Sequence, residues 1–242
     1  MSDVTTLLLH GTGTSISYFM GLLYKTYDVL KSKNIKFQCI SGSCIAALFF
    51  CITSSADEYF KLCIEFINKS HISLEMNTNS MNIKTLLNSY LDYFIKSHLL
   101  NVDIDINTVH NKMSIWVGDL NSWYIFRTTC IDTYKDKNTL IDIMIASMSI
   151  PYITNNRMYR SIYIDNEEKR YLDVFYVTNT DPKVLSISPF TVWCLRCRMH
   201  GSLGVWNAFN YFTDSYKIFI KGMYDSKSLL GHLNVWKPGI LE

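Results

Sequence analysis

A short apolar strand that turns directly into an apolar helix constrains the fold of this chain most. The segment runs from Phe37 to Phe50 and reads FQCISGSCIAALFF. Cys39 and Ile40 are typical of a buried strand, three small residues follow, and the next stretch is apolar on every face. The pattern predicts a strand-to-helix elbow that lifts the hydroxyl of Ser43 above the carboxyl end of the strand. A serine there is either a helix N-cap or the nucleophile of a serine acyl hydrolase.

The size of the chain indicates one globular domain, and its low net charge argues against nucleic acid as a partner. The 242 residues are 48% hydrophobic, which suffices for one sizeable core. We expect a single domain over residues 1–242, with an aromatic-rich helical extension over 203–242. The net charge is only +2, so there is no electrostatic case for binding nucleic acid.

The cysteines predict neither disulfides nor a metal site. The chain has seven, an odd number, and several lie in apolar runs, which favours reduced buried thiols in a cytoplasmic protein. Residues 194–200 read CLRCRMH and have ligand-like spacing. They offer only three ligands, however, and no second Cys/His pair follows at a suitable distance. We therefore expect no metal and no other cofactor.

Membrane contact, if the chain makes any, is expected to be peripheral. The residues before the first apolar run include Asp3 but no basic residue, so no secretory signal is expected. The longest strictly apolar stretch, 44–52, is far shorter than the roughly 20 residues of a spanning helix. In the C-terminal helix, Trp206, Phe209 and Phe212 either border a lipid-binding site or pack in the core.

The order of elements predicts an α/β fold. Residues 4–9 read as a strand, 10–15 as a small-residue loop and 16–30 as a helix, and the strand and elbow of the opening segment follow. This βαβ arrangement predicts a central, mostly parallel sheet with helices on both faces. Periodicity also predicts further helices over 55–67, 83–94, 140–148 and 205–220, and further strands over 113–117, 123–128, 161–164, 170–173 and 184–188.

The loop after the first strand is a candidate anion site. Gly11, Thr12 and Gly13 follow that strand, and Ser43 follows the next one. Because parallel strands end at a common rim, the loop is expected to face Ser43. Its backbone N–H groups, together with the start of the following helix, can form an oxyanion hole. The rival interpretation, a phosphate-binding loop, lacks the P-loop lysine.

Four segments in order resemble patatin-like phospholipases. They are LLLHGTGTSISYFMGLL at 7–23, ISGSCIA at 40–46, IASMSIP at 145–151 and YLDVF at 171–175, the last followed by Asn179 and Pro182. They resemble the family's oxyanion loop, nucleophile elbow, A-S-x-x-x-P segment and Asp-Gly-Gly motif. The resemblance covers roughly residues 4–190, and it lies in the order of the motifs rather than in any one of them.

The resemblance implies lipid acyl hydrolysis by a Ser–Asp dyad. Ser43 would attack the ester carbonyl, and Asp173 would take the hydroxyl proton directly. Gly11, Thr12 and Gly13 would donate their backbone N–H groups to the oxyanion. The implied activity is that of a phospholipase A or a broader esterase, with a lipid or another acyl ester as the substrate.

The chain also departs from the family pattern. The family's elbow has glycine two residues before and two after the serine, where this chain has Ser41 and Ile45. Thr12 replaces the middle glycine of the oxyanion loop, and Val174 and Phe175 replace the small residues after the aspartate. These replacements leave two functions open: a divergent hydrolase, or a catalytically inactive relative that binds lipid or a protein partner.

A catalytic triad is the other enzymatic alternative. In that mechanism His200 or His232 would act as the base for Ser43. The two mechanisms predict different geometries. The dyad requires the Ser43 hydroxyl to lie within hydrogen-bond reach of the Asp173 carboxylate, directly or through one water, and requires no histidine beside it.

Overall fold

The computed structural model of the chain describes residues 4–13, 15–78, 90–121, 127–154, 157–174, 177, 180–190, 199–203 and 215–233. Within these residues the strands are β1 (Thr6–Leu9), β2 (Lys36–Ile40), β3 (Met113–Asp119), β4 (Arg127–Ile131), β5 (Arg160–Ile164), β6 (Glu167–Leu172), β7 (Val184–Phe190) and β8 (Met199–Leu203). The helices are α1 (Ile16–Lys25), α2 (Tyr27–Ser32), α3 (Ser43–Ile52), α4 (Ala56–Thr78), α5 (Lys96–Asn101), α6 (Ile106–Val109), α7 (Lys137–Ser147) and α8 (Ser215–His232). A π-helical segment, Tyr90–Ile95, leads into α5.

All of these strands join one mixed sheet flanked by helices. Its order is β5-β6-β3-β2-β1-β7-β8, and β4 also pairs with β3. Strands β3, β2, β1, β7 and β8 run parallel to their neighbours in this order, whereas β4, β5 and β6 pair in antiparallel fashion. The predicted α/β fold with a mostly parallel sheet is therefore confirmed.

The register of β1 and β2 brings the two predicted functional segments to one edge. Leu9, the last residue of β1, pairs with Cys39, and β2 ends one residue later. The loop after β1 and the elbow after β2 consequently start side by side. Leu7, Leu8 and Leu9 are fully buried, as expected of a central strand covered on both faces.

Helix α8 packs closely on α1, the helix that follows the loop. A Cβ on Gly21 would lie 1.9 Å from the carbonyl oxygen of Phe219, and a Cβ on Gly222 would lie 1.9 Å from that of Tyr18. Only glycine allows the two backbones to come this close. The Tyr18 hydroxyl also donates a 2.6 Å hydrogen bond to Asp225 of α8. These contacts fix α8 to the sheet through α1.

One histidine belongs to the core. His98 of α5 is buried and packs its ring against Phe49, Phe66 and Phe94. Its Nε2 atom has no hydrogen-bond partner among the described residues. Burial lowers the pKa of His98 because the charged imidazolium would lose its hydration. The side chain is thus held in its neutral form by the aromatic cluster.

Some predictions fall wholly or partly outside the described residues. These are Trp206, Phe209 and Phe212, the cysteines at 194 and 197, most of the helix predicted over 83–94, most of the strand predicted over 123–128, and the first ten residues of the helix predicted over 205–220. In the described part of the chain, no helix is long and apolar enough to cross a bilayer. The same part contains no group of three or more His, Cys, Asp or Glu side chains that could hold a metal ion.

Candidate active site

The elbow between β2 and α3 consists of Ser41 and Gly42. Ser41 has a φ angle of +57°, a left-handed conformation that is uncommon for a residue other than glycine. Such residues concentrate at functional sites, where the surrounding structure holds them in place. The N-terminus of α3 follows immediately, and its partial positive charge favours an anion beside Ser41. Ser41 is only 5% exposed.

The hydroxyl of Ser43 points into the protein instead of towards Asp173. Its Oγ donates to the carbonyl oxygens of Ile40 and Leu9 at 2.8 and 3.0 Å, and it accepts the N–H of Ile40 at 3.0 Å. Ser43 is fully buried in the first turn of α3. No direct hydrogen bond joins Ser43 to Asp173: the elbow comes two residues earlier, and the Ser43 hydroxyl binds the start of α3 to the ends of β1 and β2.

Asp173 faces Ser41. It follows the last residue of β6, and its backbone N–H donates to the carbonyl oxygen of Ser149 at 3.0 Å. Its Oδ2 accepts a 2.8 Å hydrogen bond from the Ser41 hydroxyl, and its Oδ1 is buried with no partner among the described residues. Burial raises the pKa of Asp173 to about 8, although the Ser41 hydrogen bond acts in the opposite direction. Asp173 therefore keeps its proton to a higher pH than an exposed carboxyl does.

The loop after β1 lies against this elbow, as predicted. A Cβ on Gly42 would lie 2.7 Å from Thr12 Oγ1, 2.7 Å from Ile16 Cγ1 and 3.2 Å from the Gly13 carbonyl oxygen. Gly13 itself has a φ angle of +54°. Thr12 is fully buried, and its carbonyl oxygen accepts the N–H of Ser15. Only a glycine next to Ser41 leaves room for the loop at this distance.

Two departures from the family pattern, Ile45 and Val174, leave the contact between Ser41 and Asp173 unobstructed. With Ser41 at the elbow, the residue two positions later is the small Ser43, while Ile45 is fully buried in the core of α3. Val174 turns away from the site into a small apolar cluster that includes Leu8 and Ile40. Phe175 and Asn179 lie outside the described residues. Neither Ile45 nor Val174 stands between Ser41 and Asp173.

The histidines proposed for a triad have other surroundings. His232 Nδ1 contacts the carbonyl oxygen of Ser228 at 2.8 Å within α8, and His200 pairs with Ser188 across β7 and β8. The side-chain partners of Ser41 and Ser43 described above are a carboxylate and main-chain groups, and none is a histidine.

The sequence analysis did not single out Ser41, the serine whose hydroxyl bonds to Asp173. A nucleophile elbow needs a small residue two positions after the nucleophile, because helix and strand pass closely there. That requirement is met by Ser41, which is followed by Gly42 and Ser43, and it is not met by Ser43, which is followed by Cys44 and Ile45. The small-residue rule therefore favours Ser41 over Ser43, but it does not by itself say where β2 ends.

Comparisons with known proteins place the chain in a family. The sequence profile of the family described as patatin-like phospholipase matches residues 7–179. Among solved structures, VipD from Legionella pneumophila is similar at 10% identity and a TM-score of 0.41, over 77% of this chain and 50% of VipD. This chain thus corresponds to half the length of VipD. No curated protein sequence matches it. The profile match spans well over half of the 242 residues and includes the loop, the elbow and Asp173, and the chain therefore belongs to the patatin-like phospholipase family.

Proposed function

We propose that this protein is a lipid acyl hydrolase in which Ser41 is the nucleophile and Asp173 is the general base. The observation that carries the proposal is the 2.8 Å hydrogen bond from the Ser41 hydroxyl to the Asp173 carboxylate, made at a left-handed elbow. The family consists of lipid hydrolases, which makes a lipid acyl ester the substrate class. The activity is that of a phospholipase A or a broader esterase.

Acylation uses the dyad and the neighbouring loop. Ser41 Oγ attacks the ester carbonyl carbon while its proton passes to Asp173 Oδ2. The carbonyl oxygen becomes an oxyanion, which the backbone N–H groups of Gly11, Thr12 and Gly13 stabilise. The carbon–oxygen ester bond then breaks, and the leaving alcohol takes the proton from Asp173. The product is an acyl ester of Ser41.

Deacylation repeats these steps with water. Asp173 removes a proton from a water molecule, the hydroxide attacks the acyl carbon, and Ser41 leaves with that proton. Because Asp173 must be ionised to start each half-reaction, kcat/KM is expected to rise with pH through about 8, the pKa to which burial raises this carboxyl. A base with a pKa near the working pH also transfers protons efficiently in both directions.

Hydrolysis of short-chain nitrophenyl esters tests the proposal. Ser41→Ala removes the nucleophile and is expected to lower kcat/KM by roughly 10⁴-fold or more. Asp173→Asn removes the only base and is expected to lower it by about 10²–10⁴-fold. Ser43→Ala is the matched control: it deletes the same atom two residues away and is expected to keep turnover well above that of Ser41→Ala.

Three outcomes contradict this assignment or part of it. Equal rates for Ser41→Ala and wild type remove Ser41 as the nucleophile. Loss of turnover in Ser43→Ala alone, with that variant folded, restores Ser43 to the role first predicted for it. Absence of turnover in the folded wild-type protein, with phospholipid vesicles still bound, supports the catalytically inactive lipid-binding protein.

We further propose that the exposed face of α8 makes the peripheral membrane contact. Tyr216, Ile220 and Tyr224 recur at every fourth position and are 43%, 60% and 74% exposed. Lys217 and Lys221 lie exposed between them on the same helix. Apolar side chains flanked by lysines are typical of a helix that lies on an anionic bilayer surface. The predicted occupant of this face is therefore a membrane rich in anionic lipid.

Flotation with phosphatidylserine-containing vesicles tests this contact. Ile220→Glu places a negative charge at the centre of the face and is expected to reduce the bound fraction several-fold. Tyr163→Glu is the comparison, because Tyr163 of β5 is 74% exposed but lies away from α8. Reduced binding by Tyr163→Glu and not by Ile220→Glu would assign the contact to another surface.

A further inference from the structure

A single hydroxyl connects the elbow to the neighbouring strand. Ser147, the last residue of α7, is fully buried. Its Oγ accepts the backbone N–H of Ser41 at 2.9 Å and donates to the carbonyl oxygen of Trp116 at 2.9 Å. Trp116 pairs with Ile40, the last residue of β2. Ser147 thus bridges two main-chain groups at the point where the pairing of β2 and β3 ends and the chain turns away into the elbow.

The same segment also holds the other half of the dyad. Two residues beyond Ser147, the carbonyl oxygen of Ser149 accepts the backbone N–H of Asp173 at 3.0 Å. One short piece of chain therefore bonds to the main chain of both Ser41 and Asp173. The distance between the two reacting side chains depends on this piece, because the residues lie 132 positions apart in the sequence and meet only here.

The conformation of Ser41 makes this support necessary. A left-handed φ angle costs free energy for serine and persists only where neighbouring groups impose it. In this left-handed conformation, the N–H of Ser41 donates its hydrogen bond to the Ser147 hydroxyl. Without the hydroxyl, the N–H loses its buried acceptor, and the elbow can recover one only by changing its backbone angles. Such a change displaces the Ser41 hydroxyl from Asp173.

We infer that Ser147 is a positioning residue, whose hydroxyl sets the separation between the Ser41 hydroxyl and the Asp173 carboxylate. The inference rests on the proposed hydrolase function. Ser147 touches main-chain groups and takes no part in proton transfer. It acts on the rate of the reaction by holding the nucleophile in reach of its base, where a displacement of about 1 Å can cost roughly 10²-fold.

Comparison of Ser147→Ala with Ser226→Ala tests the inference. Both variants delete a buried hydroxyl, but the Ser226 hydroxyl donates to the carbonyl oxygen of Met223 within α8. Ser147→Ala is expected to lower kcat on a nitrophenyl ester by about 10²-fold with KM little changed. It should also move the midpoint of the pH–rate profile upward, since the Ser41 hydrogen bond lowers the pKa of Asp173. Ser226→Ala is expected to change neither quantity.

The outcomes separate this inference from the proposed function. If wild type and Ser41→Ala hydrolyse the ester equally, the proposed function fails. If wild type exceeds Ser41→Ala, but Ser147→Ala and Ser226→Ala have the same kcat and midpoint, only the positioning role fails. Should Ser147→Ala not fold, Ser147→Cys retains the volume with a weaker hydrogen-bonding group. Wild-type kcat and midpoint in Ser147→Cys would then overturn the inference.

Discussion

Replacement of Asp173 by asparagine should change how the stability of the protein depends on pH. Burial raises the pKa of Asp173 from its ordinary value of 3.8 to about 8. Between these two values the unfolded chain has released the proton and the folded protein still holds it. The free energy of the unfolded state therefore falls relative to that of the folded state as the pH rises, and the protein loses stability. Asparagine has nearly the same shape, accepts the Ser41 hydrogen bond and cannot titrate.

The size of the effect follows from the interval between the two pKa values. Each pH unit within that interval costs the folded protein about 1.36 kcal/mol through this one group. Between pH 5 and pH 7, wild type should thus lose roughly 3 kcal/mol of unfolding free energy relative to Asp173→Asn. The contribution of Asp173 is complete below pH 3.8 and is lost as the pH approaches 8.

Urea unfolding at pH 5 and pH 7 measures this difference. All other titrating groups are shared by the two proteins, so their contributions cancel in the comparison. Asp103→Asn, which makes the same change at an exposed aspartate, serves as the matched control. If wild type and Asp173→Asn change by the same amount between the two pH values, Asp173 is ionised in the folded protein at pH 7. That result would refute the conclusion that burial keeps Asp173 protonated in the folded protein at pH 7.

Three further predictions concern packing at the site and in the core. Gly42→Ala places a Cβ 2.7 Å from atoms of the loop after β1 and should lower kcat/KM by about 10²-fold or more, by displacing oxyanion donors; wild-type turnover would contradict this. Gly222→Ala should cost about 2 kcal/mol or more of unfolding free energy, because it separates α1 from α8. Gly231→Ala, with open space around it in the same helix, should be neutral or stabilising by up to about 1 kcal/mol, and equal effects in urea unfolding would refute the close packing. His98→Phe should reduce the loss of stability below pH 6.5, because the unfolded chain protonates this histidine more readily than the folded protein does. The same acid dependence in wild type and His98→Phe would contradict its burial in neutral form.

The arrangement of the sheet could be predicted because it depends on local patterns. The apolar run before Gly11 and the one before Ser41 each form a strand, and a helix follows each strand. This order of elements implies that the two strands pair in parallel. Residues 161–164 and 170–173 were likewise predicted as strands flanking a charged turn, and they lie within or next to β5 and β6. Such predictions need only hydrophobic periodicity and turn chemistry.

The identity of the nucleophile could not be predicted with the same security. Ser41, Gly42 and Ser43 are three consecutive small residues, and each serine can follow a strand. The choice depends on where β2 stops, and that is set by pairing with β3 and by the hydroxyl of Ser147, 106 residues away. Long-range contacts of this kind leave no periodic signal. Asp173, in contrast, is singled out by its motif, and its carboxylate accepts a hydrogen bond from Ser41 at the elbow.

Covalent labelling with a fluorophosphonate tests the central claim most directly. The reagent forms a stable phosphonyl ester with an activated serine, and tandem mass spectrometry of the peptide spanning residues 37–50 distinguishes Ser41 from Ser43. We expect the adduct on Ser41 in wild type and a large loss of labelling in Asp173→Asn. An adduct on Ser43, or equal labelling with and without the Asp173 carboxylate, would contradict the assignment of Ser41 and Asp173 as the catalytic dyad.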